Sequence, residues 1–201
     1  MSWSLTNWHR NRILQHEGIA DAVWQKLIHL RCLKGLSLEE LLRLRECATL
    51  FLHDKKFYGA HELEITEEIR ATIALQACIL ILNLDLDYYR SWSQIIVYPG
   101  EFMLDYDYED EFGIVHHVQH AASGEAWSDG PVILSWQDTL EPVSHLGENV
   151  VIHEFAHKID MLYEGANGCP ELHANMSAYT WHEVFSTAYK KFCRQVDRQQ
   201  E

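Results

Sequence analysis

The stretch "NVVIHEFAHKIDML", residues 149–162, carries the pattern on which the reading of the chain turns. His153 and His157 stand four residues apart, so on a helix they project from one face, one turn from each other. Two neutral imidazoles placed in this way can both reach a Zn²⁺ ion. Glu154 lies about 100° round the helix from His153, where its carboxylate can take the proton of a water that the metal polarises. The chain holds 13 histidines, so a bare HExxH spacing is expected only about 0.08 times by chance. The flanking Val150, Val151, Ile152, Phe155, Ala156 and Ile159 are apolar, and charged groups inside such a helix need a partner. The segment predicts zinc-dependent peptide hydrolysis, with His153 and His157 as ligands and Glu154 as base.

Working outward, the N-terminal side reads as helices. Ser37 and Glu40 form a capping box ahead of the apolar positions Leu38, Leu41, Leu42 and Leu44. Thr66 caps a further helix, with Glu67 and Glu68 in its first turn. An earlier helix is expected from Asp21 to Cys32. The middle of the chain changes character. "SQIIVYPGEF", "EFGIVHHVQH" and "GPVILSW" read as strands, the last two joined by the turn-rich "AASGEAWSDG". Helical pattern returns from about residue 147 to 163. A last helix is expected to start at Thr180, whose hydroxyl would pair with Glu183, with Trp181, Val184, Phe185, Ala188 and Phe192 as its apolar face. Helices, a small sheet, then helices make an α+β protein.

Composition limits the function classes. Across 201 residues, 47% hydrophobic and 23% charged, the chain is of ordinary globular make-up. A formal net charge of -14 argues against direct nucleic-acid binding and against anionic membrane surfaces, both of which need basic patches. Five scattered cysteines with no CxxC pair suit reduced thiols in a cytoplasmic protein. The apolar run Ala71 to Leu84 is too short to span a bilayer and is expected to be a buried core helix.

The remaining candidates are weaker. His116 and His120 also stand four apart, but in a strand that spacing is about 13 Å, too far to share one ion. A longer pattern, HExxHxxGxxH, would need Gly at 160 and His at 163, where this chain has Asp160 and Tyr163. Asp160 is expected to orient His157 or a neighbouring group from the metal's outer shell. Glu164, Glu171 and Glu183 are candidates for a third ligand without a pattern to support them, and the expected capping role accounts for Glu183. Leu134, Ser135 and Trp136 are expected to offer a strand edge to an extended peptide substrate.

In order along the chain, "WHRNRIL", "FLHDKKFYGAHELEIT", "ATIALQACILILNLDLDYY", "IIVYPGEF", "GPVILSWQD" and "VVIHEFAHKIDML" together resemble the Mlc titration factor A family of bacterial zinc metallopeptidases. The resemblance implies one zincin-like domain over residues 1–201, with a small mixed β-sheet, similar to the catalytic domain of anthrax lethal factor. It implies a cytoplasmic, aminopeptidase-like enzyme using one Zn²⁺, and binding to Mlc, a repressor of glucose-uptake genes. His153 and His157 match the family's ligands and Glu154 its base. The third ligand in that family is a glutamate in a downstream segment resembling "NPAEFFA", which these 201 residues lack. The expectation is therefore an incomplete C-terminal part, two of three protein ligands, and weak zinc binding. The other reading is a non-catalytic regulatory protein that sequesters a transcriptional repressor and keeps a vestigial metal site.

Overall fold

Four helices dominate the first part of the chain: α1 Ser2–His16, α2 Asp21–Leu27, α3 Leu38–Asp54 and α4 Glu67–Ile79, with strand β1 Lys56–Gly59 before α4. The computed structural model describes residues 2–109, 113, 115–140, 149–162 and 165–199. The capping signals fall where expected. The Ser37 hydroxyl accepts from the Glu40 N–H at 3.3 Å, and the Ser37 N–H donates to the Glu40 carboxylate at 2.7 Å. The Thr66 hydroxyl accepts from the Ile69 N–H. α2 stops at Leu27, short of the expected Cys32, and a 3₁₀ turn over Arg31–Leu33 follows. In α4, Ala71, Ile73, Ala74, Leu75, Ala77 and Cys78 are fully buried. These positions surround the helix axis, so α4 is the buried core helix expected there.

The sheets are built from β2 Gln94–Tyr98, β3 Phe102–Glu109, β4 Val115–Ala122, β5 Gly124–Ala126 and β6 Val132–Ser135. Strand order in the larger sheet is β1-β2-β6-β5. Its first three strands run parallel and β5 is antiparallel to β6, so the sheet is mixed. Ile95 pairs with Val132 and Val97 with Leu134, and all four side chains are fully buried on one face. β3 and β4 form a separate antiparallel pair. His116 and His120 both lie on strand β4, as the strand reading required. β6 is followed directly by the short α5 Trp136–Leu140, and later come α6 Val150–Asp160 and α7 Ala178–Gln199. The α+β class is as expected.

An aromatic cluster fixes α6 against the helices. The Phe155 ring lies 5.7 Å from Phe51, 5.2 Å from Tyr89 and 5.5 Å from Trp92, the tilted and edge-on geometry aromatic pairs prefer. Tyr89 donates its hydroxyl to the Ala77 carbonyl, which ties the cluster to α4. The Lys55 ammonium donates to the carbonyls of Tyr89 and Trp92 and sits 4.3 Å from the Trp92 ring centre.

The chain divides into two compact units, residues 1–158 and 159–201. In the second, the Trp181 indole donates to the Gly168 carbonyl and its ring lies 4.2 Å from Phe185. α7 begins at Ala178, two residues earlier than expected, because Ser177 takes the capping position: its hydroxyl accepts from the Thr180 N–H and its carbonyl from the Trp181 N–H. Glu183 therefore has no box with Thr180; its carboxylate accepts from the Tyr179 hydroxyl. No helix among the described residues is long and apolar enough to cross a membrane.

Candidate metal and catalytic site

α6 begins at an Asn cap that sequence patterning passed over. The Asn149 side-chain oxygen accepts from the Ile152 N–H, and its amide group donates to Gln76 on α4. Asn three residues ahead of an exposed helical N–H is a recognised start signal, and the apolar "VVI" that follows obscured it. Val151, Glu154, Phe155 and Lys158 then face inward, at the i, i+3, i+4, i+7 spacing of one helix face. His153 is exposed and His157 half-buried, on a neighbouring face.

The two imidazoles converge. His157 Nε2 lies 3.2 Å from His153 Nε2. Two nitrogen donors at about 2.0–2.1 Å from one Zn²⁺, at a tetrahedral angle, lie about 3.3–3.4 Å from each other. The observed separation is close to that of two nitrogens sharing one ion. Burial, then the neighbouring His157, lowers the pKa of His153, which favours the neutral ring a metal requires. Among the described residues no group of three or more His, Cys, Asp and Glu is placed to hold a metal. Glu164 lies outside the described residues, and Glu171 and Glu183 belong to the second unit.

Glu154 is 5% exposed. Burial, then the charge of Glu125, raises its pKa to about 7. A carboxyl tuned to this range can both take and give a proton near neutrality, and a bound cation would draw the value down. The side chain is walled by Gly124 at the start of β5. A Cβ on that residue would sit 2.6 Å from both Cγ and Oε1 of Glu154, so only glycine lets the strand come this close.

The strand edge expected at Leu134, Ser135 and Trp136 is not open. β6 is bonded to β2 on one side and β5 on the other, and the Ser135 N–H donates to the Ser123 carbonyl. Leu134 and Ser135 thus have no free edge. Trp136 opens α5, started by the Ser135 hydroxyl accepting from the Asp138 N–H. Among the described residues the edge strand on this side of the sheet is β5, Gly124–Ala126, which lies within the turn-rich "AASGEAWSDG". Asp160, the last residue of α6, accepts through Oδ2 from the Gly168 N–H, and its Oδ1 is buried without a hydrogen-bond partner among the described residues.

Two converging imidazoles and a buried carboxyl next to one of them thus stand together on α6. The chain belongs to the glucose-regulated metallo-peptidase M90 family, whose model matches residues 5–201. It is similar to proteins called Mlc titration factor A. The one from Cronobacter sakazakii is 32% identical over 180 residues, covering 89% of this chain and 68% of the relative. For Salmonella agona the identity is 34% over 164 residues, 81% of this chain and 61% of the relative. For Klebsiella pneumoniae it is 34% over 143 residues, 71% and 54%. The chain thus spans between about half and two thirds of the length of these curated relatives.

Proposed function

We propose that this chain carries the catalytic helix of a zinc-dependent peptide hydrolase of aminopeptidase type. The observation that carries the reading is the 3.2 Å approach of His153 Nε2 and His157 Nε2 on the helix turn that also presents buried Glu154. His153 and His157 would hold the ion, which when bound supplies Lewis-acid polarisation of the scissile carbonyl and of water. Glu154 accepts the proton of the attacking water at its carboxylate and returns it to the departing amine nitrogen. The free edge of β5 pairs with the backbone of the extended peptide and sets its register over Glu154. A third protein ligand is not among the described residues, and the family resemblance assigns it to a glutamate in a further segment. Glu154→Gln should abolish peptide hydrolysis in a catalytically complete protein while leaving zinc content unchanged. Hydrolysis retained in that variant would refute the reading.

A second reading has its own support. The relatives' name refers to titration of Mlc, and among the described residues two candidate ligands converge, as in a regulatory protein that binds a repressor of that kind without catalysis. Chelation separates the two, because repressor binding should survive metal removal and peptide hydrolysis should not.

A further inference from the structure

Lys158 follows the second histidine directly, yet the chemistry above does not use it. It is 2% exposed, although an ammonium is costly to bury unless each proton finds an acceptor. Here each does. Nζ lies 2.6 Å from the Trp127 carbonyl, 3.1 Å from Ser128 and 3.2 Å from Gly130, and 4.8 Å from the centre of the Trp92 ring. A lysine ammonium has three protons, so its bonding capacity is filled by one turn of backbone.

That turn is the continuation of β5. The Trp127 N–H donates to the Pro131 carbonyl and the Gly130 N–H to the Trp127 carbonyl, which closes the link from β5 to β6. A Cβ on Gly130 would lie 2.9 Å from the Cβ of Trp127, so the turn is drawn tight. Three of its carbonyls converge on the Lys158 ammonium, and that of Trp127 also accepts from the Gly130 N–H.

Position along the helix gives the clamp its meaning. Glu154 and Lys158 are one turn apart on the same face, about 6 Å along the axis. Glu154 packs on Gly124, where β5 begins; Lys158 grips Trp127, just past its end. Those two residues are about 10 Å apart in extended chain. β5 therefore lies along α6, held at both ends by the helix that carries His153 and His157. A strand with only three paired residues has little hold of its own.

We propose that Lys158 is a positioning residue, which fixes the Trp127–Pro131 turn to α6 and so holds the edge strand β5 in register for an extended peptide. This rests on the reading of β5 as the peptide-pairing edge. Alternatives for Lys158 reduce to a general role in stability, and the test is chosen to separate that from positioning.

Amide hydrogen exchange on the 201-residue chain compares wild type, Lys158→Met, Lys158→Gln and Val151→Ala. Val151 is buried on the same helix, seven residues before Lys158, so it reports general destabilisation. Lys158→Met should speed exchange over residues 124–131 by about tenfold, the scale of lost charged hydrogen bonds, with the β1–β2 pair unchanged. Lys158→Gln keeps two donors and should fall between; it serves alone if the Met variant does not fold. In parallel, binding of tetra-alanine is titrated by NMR with chelator present, so that the peptide stays intact. Its Kd should rise about tenfold in Lys158→Met and stay near wild type in Val151→Ala. Exchange that rises equally throughout the chain, or not at all, overturns the clamp. Tetra-alanine that binds wild type and the Lys158 variants equally overturns the positioning role alone. Tetra-alanine that binds none of them overturns the peptide reading of the edge, and the positioning role with it.

Discussion

Replacing Gly124 with alanine puts the contact between strand and base under direct load. The added methyl would stand 2.6 Å from Cγ and Oε1 of Glu154 and 2.7 Å from Cγ2 of Val150. Ordinary carbon contacts lie at about 3.5–4.0 Å, so something must move by about 1 Å. Neither partner is free to do so cheaply. Glu154 is 5% exposed, and β5 is held by its pairing to β6 and by the Ser135 N–H on the Ser123 carbonyl at 2.7 Å. Overpacking of this size costs about 1–3 kcal/mol of stability, measurable from urea unfolding followed by tryptophan fluorescence. His153 and His157 lie on a different face of α6, so zinc binding should be unaffected. Displacing the base by about 1 Å should lower peptide hydrolysis by about 100-fold in a catalytically complete protein. A Gly124→Ala chain as stable as wild type would refute the close packing. One that is destabilised but turns over at the wild-type rate would refute the placement of Glu154 as base.

Four further outcomes follow from the same geometry. Phe155→Ala removes the ring shared by Phe51, Tyr89 and Trp92 and should cost about 3–5 kcal/mol in denaturant unfolding. His153→Ala or His157→Ala should each abolish zinc binding by calorimetry, since neither ring alone makes the converging pair. Asn149→Ala removes the α6 cap and the donor to the Gln76 side-chain oxygen, for a loss of about 1 kcal/mol. Glu154→Gln should change how stability depends on pH in the metal-free chain. The Glu154 pKa is raised from 4.5 to about 7, so its neutral form contributes stability that is complete below the unfolded value and is lost as pH rises through about 7. That contribution is roughly 3 kcal/mol. Glutamine does not ionise, so the variant should gain on wild type between those pH values and stay ahead above them; parallel curves would remove the burial argument.

Much of this protein is legible in short spans of its sequence. Ser37 with Glu40, and Thr66 before Ile69, mark helix starts within three residues, because a cap satisfies an N–H only that far away. The spacing of His153 and His157 predicts a shared face for the same local reason, and the observed 3.2 Å approach needs nothing from the rest of the fold. The end of β6 was also locally encoded, yet "VILSW" read as one run; the Ser135 hydroxyl, by capping Asp138, turns Trp136 into helix.

What tertiary structure alone decided is which strand faces the site. β5 has no apolar alternation to announce it, because its inward residue must be Gly124 to admit Glu154. Strand order depends on partners distant in sequence, and no local pattern places β6 between β2 and β5. No local pattern in the sequence announces that Lys158 is buried. Only the folded turn, bringing three carbonyls to one point, makes its burial favourable. Helix spacing placed the candidate ligands and base on α6; long-range packing placed the edge strand beside them and the lysine proposed to hold it.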